Sequence, residues 1–279
     1  MIHVINNKMK TKYGLSYIVA DSEELLEDAI NHHRQHFDYI SVVLTTETYH
    51  GIKTSQRCID ILNKLKSENL IDEIIETKPP APLVGRHCRN IALNSLQNSG
   101  CDYGLVSDVD EFYEHDQINR VKEILKDTSI DMTYVYLKHY WADEVYAFED
   151  HGKYNETLVP FIFKVIGDLT YGTCREAVPY VDPTRTFIKV LNWKLIDPTD
   201  CYMHHFWMVR SDIREKFQHR CNMSGWDINT FEDNIKYWEE WAPGMGGSGF
   251  YKSGVQIQPL YKQEHSIKLN KFYNYARRR

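Results

Sequence analysis

With 279 residues, 42% hydrophobic and 26% charged, the chain is long enough for a large core and has the balance of a soluble globular protein, either one α/β domain or one with an appendage. No apolar run approaches the roughly 20 residues that a bilayer-spanning helix needs, and Met1-Ile-His-Val-Ile-Asn-Asn7 lacks a secretory pattern, so a cytoplasmic location is expected. The net charge of −6 hides an asymmetry: residues 250–279 hold seven Lys/Arg and one Glu, a local +6 that leaves −12 on the first 249. Such a tail suits an anionic acceptor, nucleic acid or a membrane surface; a solvated, frayed terminus is the commoner outcome. The cysteines at 58, 88, 101, 174, 201 and 221 form no Cys-x-x-Cys and suit reduced thiols. Cys201, His204, His205, His219 and Cys221 match no standard zinc spacing.

Tyr13 to Ala20 reads as a first strand, and Asp21-Ser-Glu-Glu24 opens a helix through about His36, with acidic residues where the macrodipole favours them. Tyr39 to Leu44 is β-branched and apolar, a buried parallel strand with Thr45-Thr46-Glu47 at its carboxyl end. Residues 54–68 carry apolar positions at helical spacing, and Ile71 to Ile75 is a third strand. Pro79-Pro-Ala-Pro82 breaks the chain before a helix of about Gly85 to Asn98, which contains Arg86, Arg89 and Asn90 and leads into a strand at Cys101 to Ser107. This alternation predicts a parallel sheet with right-handed crossovers, whose ligands bind at the carboxyl ends of the strands. Ala20-Asp21, Thr45-Thr46-Glu47 and Asp108-Val109-Asp110 all fall at such ends and converge on one crevice.

In an extended chain residues two apart point the same way, which puts Asp108 and Asp110 on one face and Val109 on the other. At a solvent-facing strand end they contribute little to a core. Two like charges so close are costly unless a cation joins them, and a hard divalent ion such as Mg2+ or Mn2+, shared with a diphosphate, is the natural occupant. An EF-hand loop is excluded by Phe112 and Tyr113 at its fifth and sixth positions. Phe112 and the central location exclude an aspartyl-phosphatase strand, and a solvated loop or helix cap is the plain alternative.

The second half reads differently. Ile118 to Lys126 is a short helix, and Met132 to His139, Leu158 to Val165 and Phe187 to Trp193 are strand-like without regular helices between them, which predicts an antiparallel or mixed extension of the sheet. Tyr202 to Val209 follows, then helices near Ser211 to His219 and Thr230 to Trp241. Pro243-Gly-Met-Gly-Gly-Ser-Gly249 neither follows a strand nor opens a helix, so it reads as a loop or lid and not as a phosphate cradle. Trp141, Trp193, Trp207, Trp226, Trp238 and Trp241 all lie here and suit a stacking surface, although the core is the commoner place for any one Trp. The organisation expected is one continuous domain with an α/β half over 1–115, a second half over 116–249 and a basic segment over 250–279.

The run Asp102-Tyr-Gly-Leu-Val-Ser-Asp-Val-Asp-Glu-Phe112 resembles the Asp-Tyr/Trp-x4-Asp-x-Asp-Glu-Phe form of bacterial and phage glycosyltransferases with the A-type fold, family-2-like. Cys88-Arg89-Asn90-Ile91-Ala92 keeps the Arg-Asn of that family's Ala-Arg-Asn-x-Gly-like helix and departs at the flanks, and together these cover about residues 12–115. The resemblance implies a Rossmann-like nucleotide-binding α/β half with a mostly parallel sheet, extended by a mixed acceptor-binding half. It further implies transfer of a sugar from a nucleoside-diphosphate sugar, UDP-linked, to an acceptor hydroxyl on a glycan or a hydroxymethylated DNA base. Ala20, Asp21, Thr45, Thr46, Glu47, Arg89, Asn90 and Asp108 would then hold the donor, with Arg89 on phosphate. Asp108 and Asp110, with His204 or His205, would hold Mn2+ or Mg2+, since His204-His205-Phe-Trp-Met-Val-Arg210 is similar to the family's late histidine segment. Strand alternation lets only one of those two histidines face the crevice. Glu176, in Tyr171-Gly-Thr-Cys-Arg-Glu176, lies where the family places a catalytic acid and would be the base of an inverting reaction; a salt bridge to Arg175 or Arg185 is its plain alternative. A non-catalytic nucleotide or nucleic-acid binding protein of the same fold is the contrasting class, and the intact Asp108/Asp110 pair favours the enzyme.

Overall fold

The first half alternates as its periodicity predicts: β1 (Tyr13–Val19), α1 (Glu23–His33) with a 3-10 turn at Arg34–His36, β2 (Tyr39–Thr45), α2 (Gln56–Ser67), β3 (Glu73–Thr77), α3 (Val84–Asn98) and β4 (Tyr103–Asp108). These come from a computed structural model that describes residues 10–20, 23–47, 51–78, 84–148, 158–172, 181–182, 184–189, 191–218, 232–241, 260–270 and 272. α2 starts where Ser55 Oγ accepts from the Cys58 N–H at 3.0 Å, and it buries Cys58, Ile61, Leu62 and Leu65, one helical stripe. β3 begins two residues later than expected, because the Asp72 carboxylate is used to accept from the Ile40 N–H at 2.7 Å.

These strands are parallel in the order β3-β2-β1-β4, so the chain steps outward from β1 and then returns to its other side. A crevice opens at such a switch point. Ile18 is level with Asp108 across it. α1 and α2 cover one face, with Leu25, Leu26, Ile30 and Leu62 in one core with Leu15, Tyr17 and Val42. α3 covers the other with Cys88, Ala92, Leu93 and Leu96 against Val43 and Val106. The close approach of α3 depends on Gly14 and Gly104, which face each other in β1 and β4. A Cβ on Gly14 would lie 2.6 Å from Leu96 Cδ2, and one on Gly104 2.8 Å from Leu96 Cδ1.

The remaining elements are β5 (Glu111–Phe112), α4 (His115–Ile124), β6 (Met132–Trp141), β7 (Tyr146–Phe148), β8 (Leu158–Lys164), β9 (Trp193–Leu195), β10 (Tyr202–Met208), α5 (Ile213–Gln218), α6 (Glu232–Glu240) and β11 (Leu260–Lys262). β8 runs antiparallel to β4 and β6, while β10 runs parallel to β6 and antiparallel to β5. The fold is therefore α/β, a parallel nucleotide-binding-like half continued by a mixed half, as expected. No helix among the described residues is long and apolar enough to cross a membrane.

Two expectations are corrected. Phe187 to Trp193 is not a strand: Phe187 stacks on Tyr171 and makes only a single bridge there, and the ladder is limited to β9. The basic segment is not frayed at its root, since β11 pairs with β7, Ile267, Leu269 and Phe272 are buried, and the Phe272 N–H donates to Asp28 Oδ2 at 2.9 Å. Of the tryptophans, Trp141 is fully buried, and Trp207, Trp238 and Trp241 pack with it around Met208, Ile213 and Ile235. Trp193 is 44% exposed, and Trp226 lies outside the described residues, as do His219, Cys221 and the 243–249 run. Cys58, Cys88, Cys101 and Cys201 are buried cysteines in no disulfide among the described residues.

Candidate functional site

β4 delivers Asp108 to the switch point, and the turn at Val109-Asp110 sends the chain back into β5. Because the strand ends at Asp108, the two carboxylates do not share one environment. Asp108 keeps 34% of its side chain exposed and its Oδ2 accepts from Arg89 Nη2 at 3.1 Å and Arg185 Nη2 at 2.9 Å. Asp110 is only 4% exposed, which corrects the solvent-facing expectation. Its Oδ2 accepts from Arg210 Nη2 at 2.6 Å and Lys216 Nζ at 3.2 Å, and its Oδ1 lies 3.8 Å from His205 Nε2. Burial alone would raise the Asp110 carboxyl; Lys216 and Arg210 outweigh it and hold the group well below the usual carboxylate range.

Glu111, the next residue, is wholly buried. Arg185 grips it with Nη1 on Oε2 at 3.0 Å and Nη2 on Oε1, and Oε2 also accepts from Ser107 Oγ at 2.8 Å and the Asp108 N–H at 3.0 Å. Burial pushes the Glu111 carboxyl up, against the pull of Arg185. Four cations, Arg89, Arg185, Arg210 and Lys216, thus face four carboxylates, Asp108, Asp110, Glu111 and Asp182, among the described residues. Nε and Nη1 of both Arg89 and Arg210 are buried and find no hydrogen-bond partner among the described residues, which leaves spare donors beside the carboxylate pair.

The other expected donor residues are spent on the fold. Ala20 follows β1 and is buried, and Asp21 lies outside the described residues. Thr45 Oγ1 donates to Val19 O at 3.1 Å, Thr46 Oγ1 to Thr77 O at 3.4 Å, and Glu47 pairs with Lys78 at 2.6 Å. Asn90 holds both sides of the Tyr171 peptide, accepting from its N–H at 2.7 Å and donating to its carbonyl at 3.2 Å. That fixes one arm of a hairpin stem, in which the Gly172 N–H donates to Thr186 O and the Ile188 N–H to Thr170 O, both at 2.9 Å. Glu176 lies outside the described residues.

Strand register separates the histidines. His205 is level with Glu111 on β5 and His139 on β6, whereas His204 is level with Phe112 and Lys138. His205 therefore stands beside Asp110, its Nδ1 3.0 Å from His139 Nδ1. His204 points the other way, into a box of Tyr202, His265, Glu114 and Tyr140, whose OH is 2.7 Å from its Nδ1. Burial lowers both imidazoles to about 4. Of the expected metal residues, Asp108, Asp110 and His205 share the crevice and His204 does not.

No group of three His, Cys, Asp or Glu among the described residues forms a ready cage for a metal. The carboxylate oxygens least engaged are Asp108 Oδ1, 3.4 Å from Arg89 Nη2, and Asp110 Oδ1. Two hard oxygens completed by substrate phosphates are what Mg2+ and Mn2+ commonly accept, so these residues fit such an ion in company with a diphosphate. Glu111, Arg185, Lys216 and His139 were not legible as site residues; only the Glu that follows Asp-x-Asp gave a local signal.

No protein-family model matches the chain, and no curated protein matches it. Among solved structures it is similar to S. aureus TarS at 12% identity over 81% of this chain and 42% of that one, with a TM-score of 0.45. It is similar to TarS 1-349 in complex with UDP at 14% identity over 81% and 69% of the two chains, TM-score 0.40. It is also similar to a 4-diphosphocytidyl-2C-methyl-D-erythritol synthase at 12% identity over 56% and 76%, TM-score 0.36. The matched region spans less than half of full TarS, and no activity follows from likenesses at this level.

Proposed function

We propose that the chain is a glycosyltransferase that moves a sugar from a UDP-linked donor to an acceptor hydroxyl, on a glycan or a hydroxymethylated DNA base, with Mn2+ or Mg2+ held by Asp108, Asp110 and His205. The observation that carries this is the charge pattern at the switch point. Four cations already balance four carboxylates there, so a divalent cation alone, or the roughly two negative charges of a diphosphate diester alone, would enter a mostly buried site uncompensated. Together they cancel.

The ion's contribution, when bound, is neutralisation of the charge that develops on the departing diphosphate. The spare N–H groups of Arg89 and Arg210 suit phosphate oxygens. Glu176 is the proposed general base, and Glu176→Gln should lower transfer about 100- to 10,000-fold with donor affinity little changed. Equal rates would remove Glu176 from the mechanism.

The test of the whole reading is thermal unfolding with UDP, with Mn2+, and with both. A rise in midpoint that needs both supports it, by mass action on the folded state; no rise in any combination refutes it. Mass spectrometry of host glycans and digested DNA after exposure to the protein then identifies the acceptor.

A further inference from the structure

Arg185 reaches Asp108 from the second half of the chain, on the returning arm of the hairpin whose stem joins residues 170–172 to 186–188. Its guanidinium has three carboxylate partners that are not alike. Glu111 takes both Nη1, at 3.0 Å, and Nη2, and is itself wholly buried and locked by Ser107 Oγ and the Asp108 N–H. Asp182, three residues away on the same arm, lies 3.2 Å from Nε. Asp108 takes only Nη2, at 2.9 Å, shares that oxygen with Arg89, and is one-third open to the crevice. Asp182 is 30% exposed and Nε makes no hydrogen bond to it, so Glu111 is the fixed partner, and Asp108 is the group a ligand would engage.

We propose that Arg185 is a binding residue for the donor's diphosphate and that Glu111 is the positioning residue that presents it. This rests on the reading of the crevice as a nucleoside-diphosphate sugar site. When Asp108 is engaged by a cation, the Glu111 fork keeps the guanidinium in place, and Nη2 is released from Asp108 toward a phosphate oxygen. An arginine already held by a two-point fork loses little freedom on binding, which is what makes such an anchor useful. A third acid packed against Asp108 and Asp110 would otherwise be a liability, because like charges at that spacing repel. Its use is as the fixed end of Arg185.

The experiment titrates the full chain in Mg2+ buffer with inorganic pyrophosphate, UDP and uridine. The variants are Arg185→Lys, Glu111→Gln, and the double change Arg185→Met with Glu111→Gln, which leaves neither member of the buried pair charged, so a folded protein remains if Arg185→Lys alone does not fold. Pyrophosphate and UDP should bind about 10- to 100-fold more weakly to Arg185→Lys and to the double variant, the range of one or two charge-assisted hydrogen bonds. Glu111→Gln should lose pyrophosphate affinity to a smaller degree, and uridine binding should not change in any variant. Unchanged pyrophosphate and UDP affinity in the folded variants overturns the proposal, as does a parallel fall for uridine, which marks a merely structural role. Wild type that binds pyrophosphate through Arg185 but not UDP would remove the uridine reading and keep Arg185 on diphosphate. Binding of neither would overturn both.

Discussion

Replacing Asp110 by Asn removes one negative charge from between two cations and changes almost nothing in shape. The sequence alone makes this harmless to the fold, since a strand-end carboxylate in solvent holds nothing. In the structure the carboxylate is buried and its Oδ2 lies 2.6 Å from Arg210 and 3.2 Å from Lys216. In the variant Arg210, itself buried with Nε and Nη1 unpartnered, becomes a cation without a counter-ion. Breaking one member of a buried pair costs about 3–5 kcal/mol. Lys216 can turn partly to solvent, and the amide oxygen retains a neutral hydrogen bond worth about 1 kcal/mol. The expected loss is about 2–4 kcal/mol, well above the roughly 0.5 kcal/mol of an ordinary surface change. Urea unfolding at pH 7 reads it as a lower midpoint at unchanged slope. Adding Arg210→Met to the same variant should recover part of the loss, because neither buried charge then remains. A cost below about 0.5 kcal/mol for Asp110→Asn would refute the reasoning.

The imidazoles of His32, His33, His36, His139, His204 and His205 are all lowered, chiefly by burial. The unfolded chain therefore takes up protons first as pH falls, so stability is full above about 6.5 and is lost from there down to about 4, at about 1.4 kcal/mol per pH unit for each histidine that stays neutral. Urea midpoints at pH 7, 6 and 5 check this, and a flat response would contradict it. Asn90→Ala strips the Tyr171 peptide of both its side-chain partners and should cost about 1–3 kcal/mol, with faster amide exchange at Tyr171 and Gly172. Deleting residues 276–279 should leave the thermal midpoint and any DNA binding at two salt concentrations little changed. Truncation at residue 259 should unfold the protein, because it removes β11 and the buried Ile267, Leu269 and Phe272, each worth about 1.5–3 kcal/mol.

The parallel half was readable because hydrophobic period is a local property. Periods of two and 3.6 set β1 to β4 and α1 to α3 to within a few residues, and the same alternation placed Asp108 at a carboxyl end. It also required that only one of His204 and His205 face the crevice. Which one depended on register: His205 is level with Glu111 and His139, on strands whose pairing with β10 no local pattern specifies. The short elements were hidden for a related reason, since three residues of β11 carry too little pattern, and their partner β7 lies more than 100 positions earlier. Above all, tertiary structure chose the partner of every site charge. Arg185 is 77 residues from Asp108, Arg210 is 100 and Lys216 is 106 from Asp110, and each contact exists because β10, α5 and the stretch that carries Arg185 come back to the end of β4. A sequence states how many charges there are; whether a carboxylate faces water, a metal or an arginine is settled by what packs against it, and that is a long-range outcome of the core.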